Sequence, residues 1–174
     1  VTWGHHEYGG DRSIVQGELK GVESIYSTRG AFAAIMLDGS VVTWGNADSG
    51  GNSSQVREEL NKGEVETIYT TQLAFAALKS DGSVVTWGHV GQWGGNSSKV
   101  REELNKGEVE TIYSTDFAFA ALKSDGSVVT WGLGYRGGDS SRVQARLKKG
   151  VVKTIYSTDG AFAALMLDGS VVTW

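Results

Sequence analysis

The side chains that could perform catalysis or bind a metal ion are few in this 174-residue chain. Two of its three histidines, His5 and His6, are adjacent and precede Glu7, and the third is His89. Adjacent residues seldom direct their donor atoms at one ion, so we interpret this stretch as exposed loop rather than metal site. A catalytic site would contain a nucleophile with its base, or a pair of carboxylates, as a feature that occurs once in the chain. No such set of residues is recognisable in the sequence. The sequence therefore predicts that the protein is not an enzyme and needs no cofactor.

Short acidic and glycine-rich motifs recur along the chain and could bind ions. Asp-Gly occurs five times, in four of which serine follows, and Gly-Gly followed by Asn or Asp occurs four times. Repeated Asp-Gly can indicate calcium, but Ca²⁺ takes about six to eight oxygens and the acidic residues are too sparse. Gly-Gly ahead of a helix could hold a phosphate, yet no lysine follows at the spacing of a nucleotide-binding loop. We interpret both motifs as turn and helix-cap chemistry.

The loop that follows each Trp-Gly varies in sequence, and three of its four copies contain an aromatic residue. These loops occupy residues 5–8, 46–49, 89–93 and 133–136. Aromatic side chains are enriched in recognition surfaces. The candidate binding residues are Tyr8, Asp48, His89, Trp93, Tyr135 and Arg136. Unconstrained drift of exposed loops would explain the same variation. A second variable segment, at a predicted turn between strands, comprises residues 29–30, 72–73, 116–117 and 159–160.

The loops belong to a repeated framework that is marked by the phrase Val-Val-Thr-Trp-Gly. This phrase occurs at Val41–Gly45, Val84–Gly88 and Val128–Gly132, and tryptophans stand at positions 3, 44, 87, 131 and 174. A period of about 43 residues is typical of repeat proteins in which each unit buries its apolar face against the next. We predict one repeat domain over residues 1–174. Its units are 4–44 (unit 1), 45–87 (unit 2), 88–131 (unit 3) and 132–174 (unit 4), with the repeated tryptophans in the core and the variable loops on one common surface.

Each unit is predicted to begin with a short helix. In unit 2, residues 52–54 offer side chains that can cap a helix, and Val56 and Leu60 lie four apart on one face. Gly63 stands where a C-terminal glycine cap belongs, whereas Gly17 weakens the helix of unit 1. An edge strand is the alternative for this segment.

Three β-prone runs follow the helix in each unit. In unit 2 they are residues 65–69, 74–79 and 83–87, and Asp81-Gly82 predicts a type I′ hairpin turn with positive φ at both residues. The predicted fold class is therefore mainly β, with four tandem repeats of small antiparallel sheets, each with a short helix. The units are arranged like a β-propeller or as an open repeat array.

Composition excludes several classes of function. The net charge of −4, with charges of both signs interspersed, gives no footprint for DNA or RNA. The chain has no cysteine, so disulfide and thiol chemistry are excluded. No stretch approaches the roughly 18 apolar residues of a membrane span, so we expect no membrane insertion.

The order of these motifs resembles the repeat of the regulator of chromosome condensation family. The residues that carry the resemblance in unit 2 are Val65-Glu66-Thr67-Ile68, Ala76-Ala77-Leu78, Asp81-Gly82 and Val84–Gly88. The resemblance implies a β-propeller, which has seven blades in that family, and it does not fix a function. Here Phe75 replaces a family histidine, and Gly-Gly-Asn-Ser replaces the family's Gly-Gln-Leu-Gly loop, so no exchange-factor residue carries over.

Four units leave the closure of the propeller open. They could form a small closed ring, a piece of a larger ring or an open stack, and Trp3 and Trp174 would compete for one place in simple closure. Because the chain starts and stops within the same phrase, we expect it to be a fragment of a longer repetitive protein. We expect a non-catalytic structural or protein-interaction scaffold that binds a protein partner or itself. The alternative is a propeller that binds carbohydrate or another small ligand through its aromatic loops.

Overall fold

The computed structural model describes residues 3–91 and 93–174, which form four antiparallel three-stranded sheets. Val1 and Thr2 of the first phrase and Gln92 of the third loop lie outside the described residues. Within each sheet the strands pair in chain order, so each unit is a meander. The strands β1 to β12 span Val22–Ser27, Ala31–Met36, Val41–Gly45, Val65–Thr70, Ala74–Lys79, Val84–Gly88, Val109–Ser114, Ala118–Lys123, Val128–Gly132, Val152–Ser157, Phe162–Met166 and Val171–Thr173.

The helical segments are short and lie between the sheets. Three α-helices, α1 to α3, span Arg57–Leu60, Arg101–Leu104 and Gln144–Leu147. Turns of 3₁₀ helix in the described chain span His6–Tyr8, Ser13–Val15, Ala47–Ser49, Ser54–Val56, Ser98–Val100, Gly134–Arg136 and Ser141–Val143. The predicted helix is thus confirmed in units 2 to 4. In unit 1, where Gly17 stands, residues 16–18 form turns instead.

Side chains at both ends of the helical segment hold it on the sheet. In unit 2 the Asn52 carboxamide oxygen accepts from the Ser54 amide at 3.0 Å, and Leu60 is buried. The buried ammonium of Lys79 donates to the carbonyl oxygens of Glu59, at 3.0 Å, and of Lys62. A cation that satisfies the last carbonyls of a helix stabilises its C-terminus. Lys123 does the same in unit 3, whereas Met36 and Met166 occupy this position in the outer units.

The hairpins turn at Asp-Gly, but the predicted turn type is wrong. In unit 2 the Gly82 amide donates to the Lys79 carbonyl at 2.9 Å, and the Lys79 amide donates to the Ser83 carbonyl at 3.0 Å. Only glycines have positive φ among the described residues; φ is +75° at Gly82. The loop is therefore a three-residue one closed by a left-handed glycine, not the two-residue type I′ turn.

Asp81 fixes this turn by accepting hydrogen bonds rather than by adopting positive φ. Its Oδ1 accepts from the Ser83 hydroxyl at 2.6 Å and the Ser83 amide at 2.9 Å. These two bonds, the hydroxyl first, hold the pKa of the Asp81 carboxyl below its ordinary value. The equivalent aspartates Asp38, Asp125 and Asp168 show the same bonds and the same direction of shift.

The core lies between successive units. Ala31, Ala33 and Ile35 of unit 1 pack against Ile68 and Phe75 of unit 2, and the same arrangement joins units 2 to 3 and 3 to 4. The middle strand of an inner sheet is therefore buried on both faces, which explains why its sequence is apolar throughout.

The repeated tryptophan closes each unit upon itself. The Trp87 indole stacks on Phe75 with ring centroids 5.0 Å apart, and its Nε1–H donates to the Gly50 carbonyl at 3.1 Å. Trp44, Trp131 and Trp174 make the same bond to Gly9, Gly94 and Gly137. Trp44, Trp87 and Trp131 are buried, as expected of core residues. Trp3 is 85% exposed, so Trp174 holds the place for which the two were expected to compete.

The four sheets follow one another without closing into a ring. Ile25 is 57% exposed at the outer face of unit 1, whereas its equivalents Ile68, Ile112 and Ile155 are buried. At the other end of the series Tyr156 is 62% exposed. The molecule therefore has two uncovered sheet faces. None of its described helices has the length and apolar character needed to cross a membrane.

Candidate functional site

The turns between the first and second strands of all four units converge around one shallow depression. A series of main-chain hydrogen bonds links them: the Arg29 amide donates to the Gln72 carbonyl, Gln72 to Asp116, and Asp116 to Asp159, at 2.9, 2.9 and 3.1 Å. The Gln72 side chain also donates to the Asp116 carboxylate at 2.8 Å. The depression has a volume of about 560 Å³ and is lined by these turns. The second variable segment of the sequence therefore surrounds one site.

The loops after Trp-Gly lie against these turns. In the first three turns, the threonine at the start of the turn donates through its hydroxyl to a carbonyl in the loop of the next unit. Thr28 donates to Ser49 at 2.8 Å, Thr71 to Trp93 at 2.9 Å and Thr115 to Arg136 at 3.1 Å. We call the surface formed by the four turns and these loops the turn–loop end. Both variable segments lie on it, and the Asp-Gly hairpins are at the opposite ends of the strands.

An aromatic and cationic cluster stands on the turn–loop end at the junction of units 3 and 4. The rings of Trp93 and Phe117 are 4.8 Å apart, and the Arg136 guanidinium lies 5.2 Å from the Phe117 centroid and 5.8 Å from that of Tyr135. The rings of His89 and Trp93 pack edge to face, with their centroids 6.1 Å apart. Tyr135 is 79% exposed. We call Trp93, Phe117, Tyr135 and Arg136 the aromatic cluster.

Four of the six candidate binding residues thus meet in or beside this cluster, since His89 adjoins it. The other two, Tyr8 and Asp48, are exposed in the equivalent 3₁₀ turns of units 1 and 2. Tyr8 lies with its ring 5.3 Å from that of His5, which stacks on His6 at 5.0 Å.

Phe117 is the member of the cluster that the candidate list lacks. Its segment varies between units, and this variation is the signal in the sequence: the equivalent positions hold Gly30, Leu73 and Gly160. Its contact with Arg136 joins two segments of different units, and spacing within one unit does not reveal such a contact.

A second depression of about 570 Å³ extends from the cluster. It is lined by Tyr135, Arg136, Thr158, Asp159 and Gly160. The Arg136 side chain approaches Gly160 so closely that a Cβ there would lie 2.9 Å from its Cδ. An exposed aromatic ring, a guanidinium and a carboxylate therefore border one shallow surface.

Nothing in the described ranges forms a metal centre, because no three histidine, cysteine, aspartate or glutamate side chains come together there. The aspartates whose pKa is lowered all bond to a serine two residues ahead, as Asp139 does to Ser141. Their pKa shifts belong to turns and caps. The turn–loop end offers a shallow shape, exposed aromatic surface and charge, which are features of binding surfaces.

The order of strands, the short helix and the packing of sheet on sheet give a propeller-like repeat fold of the type seen in the regulator of chromosome condensation, RCC1. The fold is similar to that of Prp20p from Saccharomyces cerevisiae, whose binding to Gsp1p and histones was described with its structure. The TM-score is 0.62 at 20% identity, over 93% of this chain and 46% of that chain.

Two further solved structures are similar. Yeast RCC1 (Prp20) with Kap60 bound to it matches with a TM-score of 0.63 at 21% identity, over 93% of this chain and 45% of that one. Human WBSCR16 matches with a TM-score of 0.57 at 17% identity, over 90% of this chain and 48% of that one. The chain thus spans about half the length of these structures, and at these identities the likeness concerns the fold. No protein-family model matches the sequence, and no curated protein is similar to it in sequence.

Proposed function

We propose that this chain is a non-catalytic module of a structural scaffold and that it binds a protein partner through the turn–loop end. The observation that carries the proposal is the distribution of variation. Units 2 and 3 are nearly identical in their strands and helices, yet they differ at residues 72–73 and 116–117 and in the loops after Trp-Gly, all on that end.

The chemistry of the aromatic cluster favours a protein partner. Tyrosine, tryptophan and arginine are the residues most enriched at the energetic centres of protein interfaces. Here Tyr135 and Arg136 are exposed, the Arg136 guanidinium lies over the Phe117 ring, and the Trp93 ring packs against Phe117. Arg136 is a donor for carboxylates, and Asp159 beside it is an acceptor. The two descriptions of yeast Prp20, one of its binding to Gsp1p and histones and one with Kap60 bound, agree with this proposal.

Selection of peptides from a random display library on the immobilised chain tests the proposal. We expect selected peptides to bind the unmodified chain and to lose at least tenfold in affinity with Tyr135→Ser or Arg136→Ser. The matched control is Leu167→Ser, which removes an exposed apolar side chain at the hairpin end.

The result also separates the two classes of ligand. Peptides whose affinity is unchanged in both cluster variants would contradict the proposed site. Binding of glycans on an array, lost with Tyr135→Ser while no peptide is selected, would replace the proposal by the carbohydrate-binding alternative.

A further inference from the structure

We propose that the two uncovered sheet faces bind each other, so that two copies of this chain associate head to tail and close a ring of eight units. The leading face is the side of unit 1 that points away from unit 2; it carries Leu19, Val22, Ile25 and Phe32. The trailing face is the side of unit 4 that points away from unit 3; it carries Tyr156, Ala161, Ala163, Leu165 and Val171. The two apolar faces lie outside the turn–loop end, although the junction also brings together two of its turns, at Arg29 and Asp159. The inference does not depend on the proposed function.

The two faces are the separated halves of an interface that the chain forms three times within itself. On the trailing side, units 1 to 3 place Ala, Ala, Ile or Leu, Tyr and Val against the next unit, and unit 4 has the same residue types. On the leading side, units 2 to 4 place Leu, Val, Ile and Phe, and unit 1 has the same set. The trailing face of a second copy therefore matches the surface that covers the leading face of units 2 to 4 within one chain. The leading face of a second copy likewise matches the surface that covers the trailing face of units 1 to 3.

The two faces keep the apolar residues of the inner interfaces, but these residues are more exposed because no unit packs on them. Ile25 and Val22 are exposed, and Phe32 is half-buried, whereas Phe75 and Phe119 are fully buried. On the trailing face Ala161 is exposed, and its equivalents Ala31, Ala74 and Ala118 are buried. Contiguous exposed apolar surface of this kind marks an interaction site.

The two faces also carry one hydroxyl each that could form a hydrogen bond across the junction. The tyrosine hydroxyl of each unit bonds to the threonine hydroxyl of the next: Tyr26 to Thr67 at 3.3 Å, Tyr69 to Thr111 at 3.1 Å and Tyr113 to Thr154 at 3.0 Å. Tyr156 is the next tyrosine of this series, and Ser24 holds the threonine position in unit 1. The junction would join them.

Charge complementarity favours a second copy as the occupant. In the series of turns, Asp159 has no acceptor for its amide and Arg29 no donor to its carbonyl within residues 3–91 and 93–174. Side chains at this position reach from unit to unit, as the 2.8 Å bond from Gln72 to Asp116 demonstrates. At the junction the facing side chains are Asp159 and Arg29, which carry opposite charges.

The size of the arc favours closure by two copies. Four units cover 46% of the yeast Prp20p chain and 48% of human WBSCR16, so two copies supply about the length of one such chain, with eight units against the seven blades of the family that the sequence resembles. Head-to-tail contacts close when the rotation per copy fits, and each dimer then contains two identical junctions.

Sedimentation equilibrium of the 174-residue chain, from micromolar to sub-millimolar concentration, measures the association. We expect a mass that rises from the 18.5 kDa of one chain to twice that value and stays there. A monomer at every concentration would overturn the proposal and leave the faces to flanking units of a longer chain. Continued growth to larger assemblies would overturn the closed dimer.

A charge-swap series tests the register of the junction. Arg29→Asp and Asp159→Arg should each raise the dimer dissociation constant about tenfold or more, because each dimer has two junctions in which like charges then meet. The double variant should restore association to within about threefold of the unmodified chain. If the double variant is as weak as the single ones, residues 29 and 159 do not face each other, and the proposed register is wrong.

A third substitution tests the apolar part of the same junction. Ile25→Ser removes an exposed side chain of the leading face, so it should abolish the dimer while far-ultraviolet circular dichroism stays that of the folded chain. Leu167→Ser, an exposed position outside both faces, should leave association unchanged. Dimerisation that survives Ile25→Ser would contradict the apolar contact.

Discussion

At the scale of single residues, the same tryptophan phrase serves two different environments. Trp87 is buried, stacks on Phe75 and donates to Gly50, whereas Trp3 is 85% exposed. Trp87→Ala should therefore lower the free energy of unfolding by about 3–5 kcal/mol, as large-to-small core changes do. Trp3→Ala is the matched control and should change it by less than about 0.5 kcal/mol. Chemical denaturation measures both, and an unchanged stability of Trp87→Ala would show that the indole does not hold the unit together.

The hairpin glycines allow backbone strain to be separated from steric contact. Gly82 has φ of +75°, and a Cβ there would lie 2.8 Å from Glu108 Cβ; Gly169 has φ of +83° with open space around it. Gly169→Val should cost about 1–2 kcal/mol from left-handed strain alone. Gly82→Val should cost about 2–4 kcal/mol, because overpacking adds to the strain. Equal losses in the two variants, measured by urea denaturation, would mean that the contact with Glu108 contributes nothing.

Residue identities predicted the role of Asp-Gly but not its geometry. The pair is a strong hairpin signal, and a hairpin is present at the four positions where serine follows it. The two-residue turn was wrong because the Ser83 amide and hydroxyl bind Asp81, which closes a three-residue loop in which only Gly82 needs positive φ. The aspartate followed by glycine and serine carries that information in the sequence.

At the scale of elements, the hairpin turns should make stability depend on acid. In unit 2 the hydrogen bonds from Ser83 lower the pKa of Asp81 in the folded state, so the ionised carboxylate stabilises the fold at neutral pH. That contribution is fully present above the unfolded-state pKa, near 3.9. It is lost as the pH falls through the lower folded-state pKa. We expect Asp81→Asn to be less stable than the unmodified chain at neutral pH, and the difference to shrink below about pH 4. A difference that stays constant down to about pH 2 in urea titrations would contradict this linkage.

The helix could be predicted in outline because its cap and its apolar spacing lie within a few residues. Asn52 and Leu60 act as expected, and Gly17 coincides with the absence of an α-helix from the described part of unit 1. The buried Lys79 could not be assigned in this way. Its partners, the carbonyls of Glu59 and Lys62, lie about 20 and 17 residues away and are brought to it by the packing of helix on sheet.

At the scale of the whole molecule, the uncovered faces should make the outer units less protected than the inner ones. Strands β5 and β8 have the same sequence, Ala-Phe-Ala-Ala-Leu-Lys, and are buried on both faces, whereas Ala163 and Leu165 of β11 are only half-buried. In amide hydrogen exchange on the monomeric chain, we expect β11 to exchange faster than β5 and β8, which should exchange alike. Uniform protection of the three strands would mean that the chain opens as one unit and that the end faces are not weak points.

The repeat period predicted the architecture because it is a property of the whole chain, but closure is not readable from it. Whether four sheets meet again depends on the small rotation from one unit to the next, which no residue type encodes by itself. The same holds for the aromatic cluster: the variable loops could be named from the sequence, whereas the meeting of Phe117 with Arg136 required the packing of unit 4 on unit 3.

The central claim is that one repeated scaffold carries stability while its turn–loop end carries recognition. The double variant Tyr135→Asp/Arg136→Ser tests it most directly, because it gives unit 4 the residues that unit 2 has as Asp48 and Ser49. Titration of this variant with a display-selected peptide should show at least a tenfold loss of affinity, with the free energy of unfolding unchanged within about 0.5 kcal/mol. Unchanged affinity, or a loss of binding that appears only together with a loss of stability, would contradict the claim.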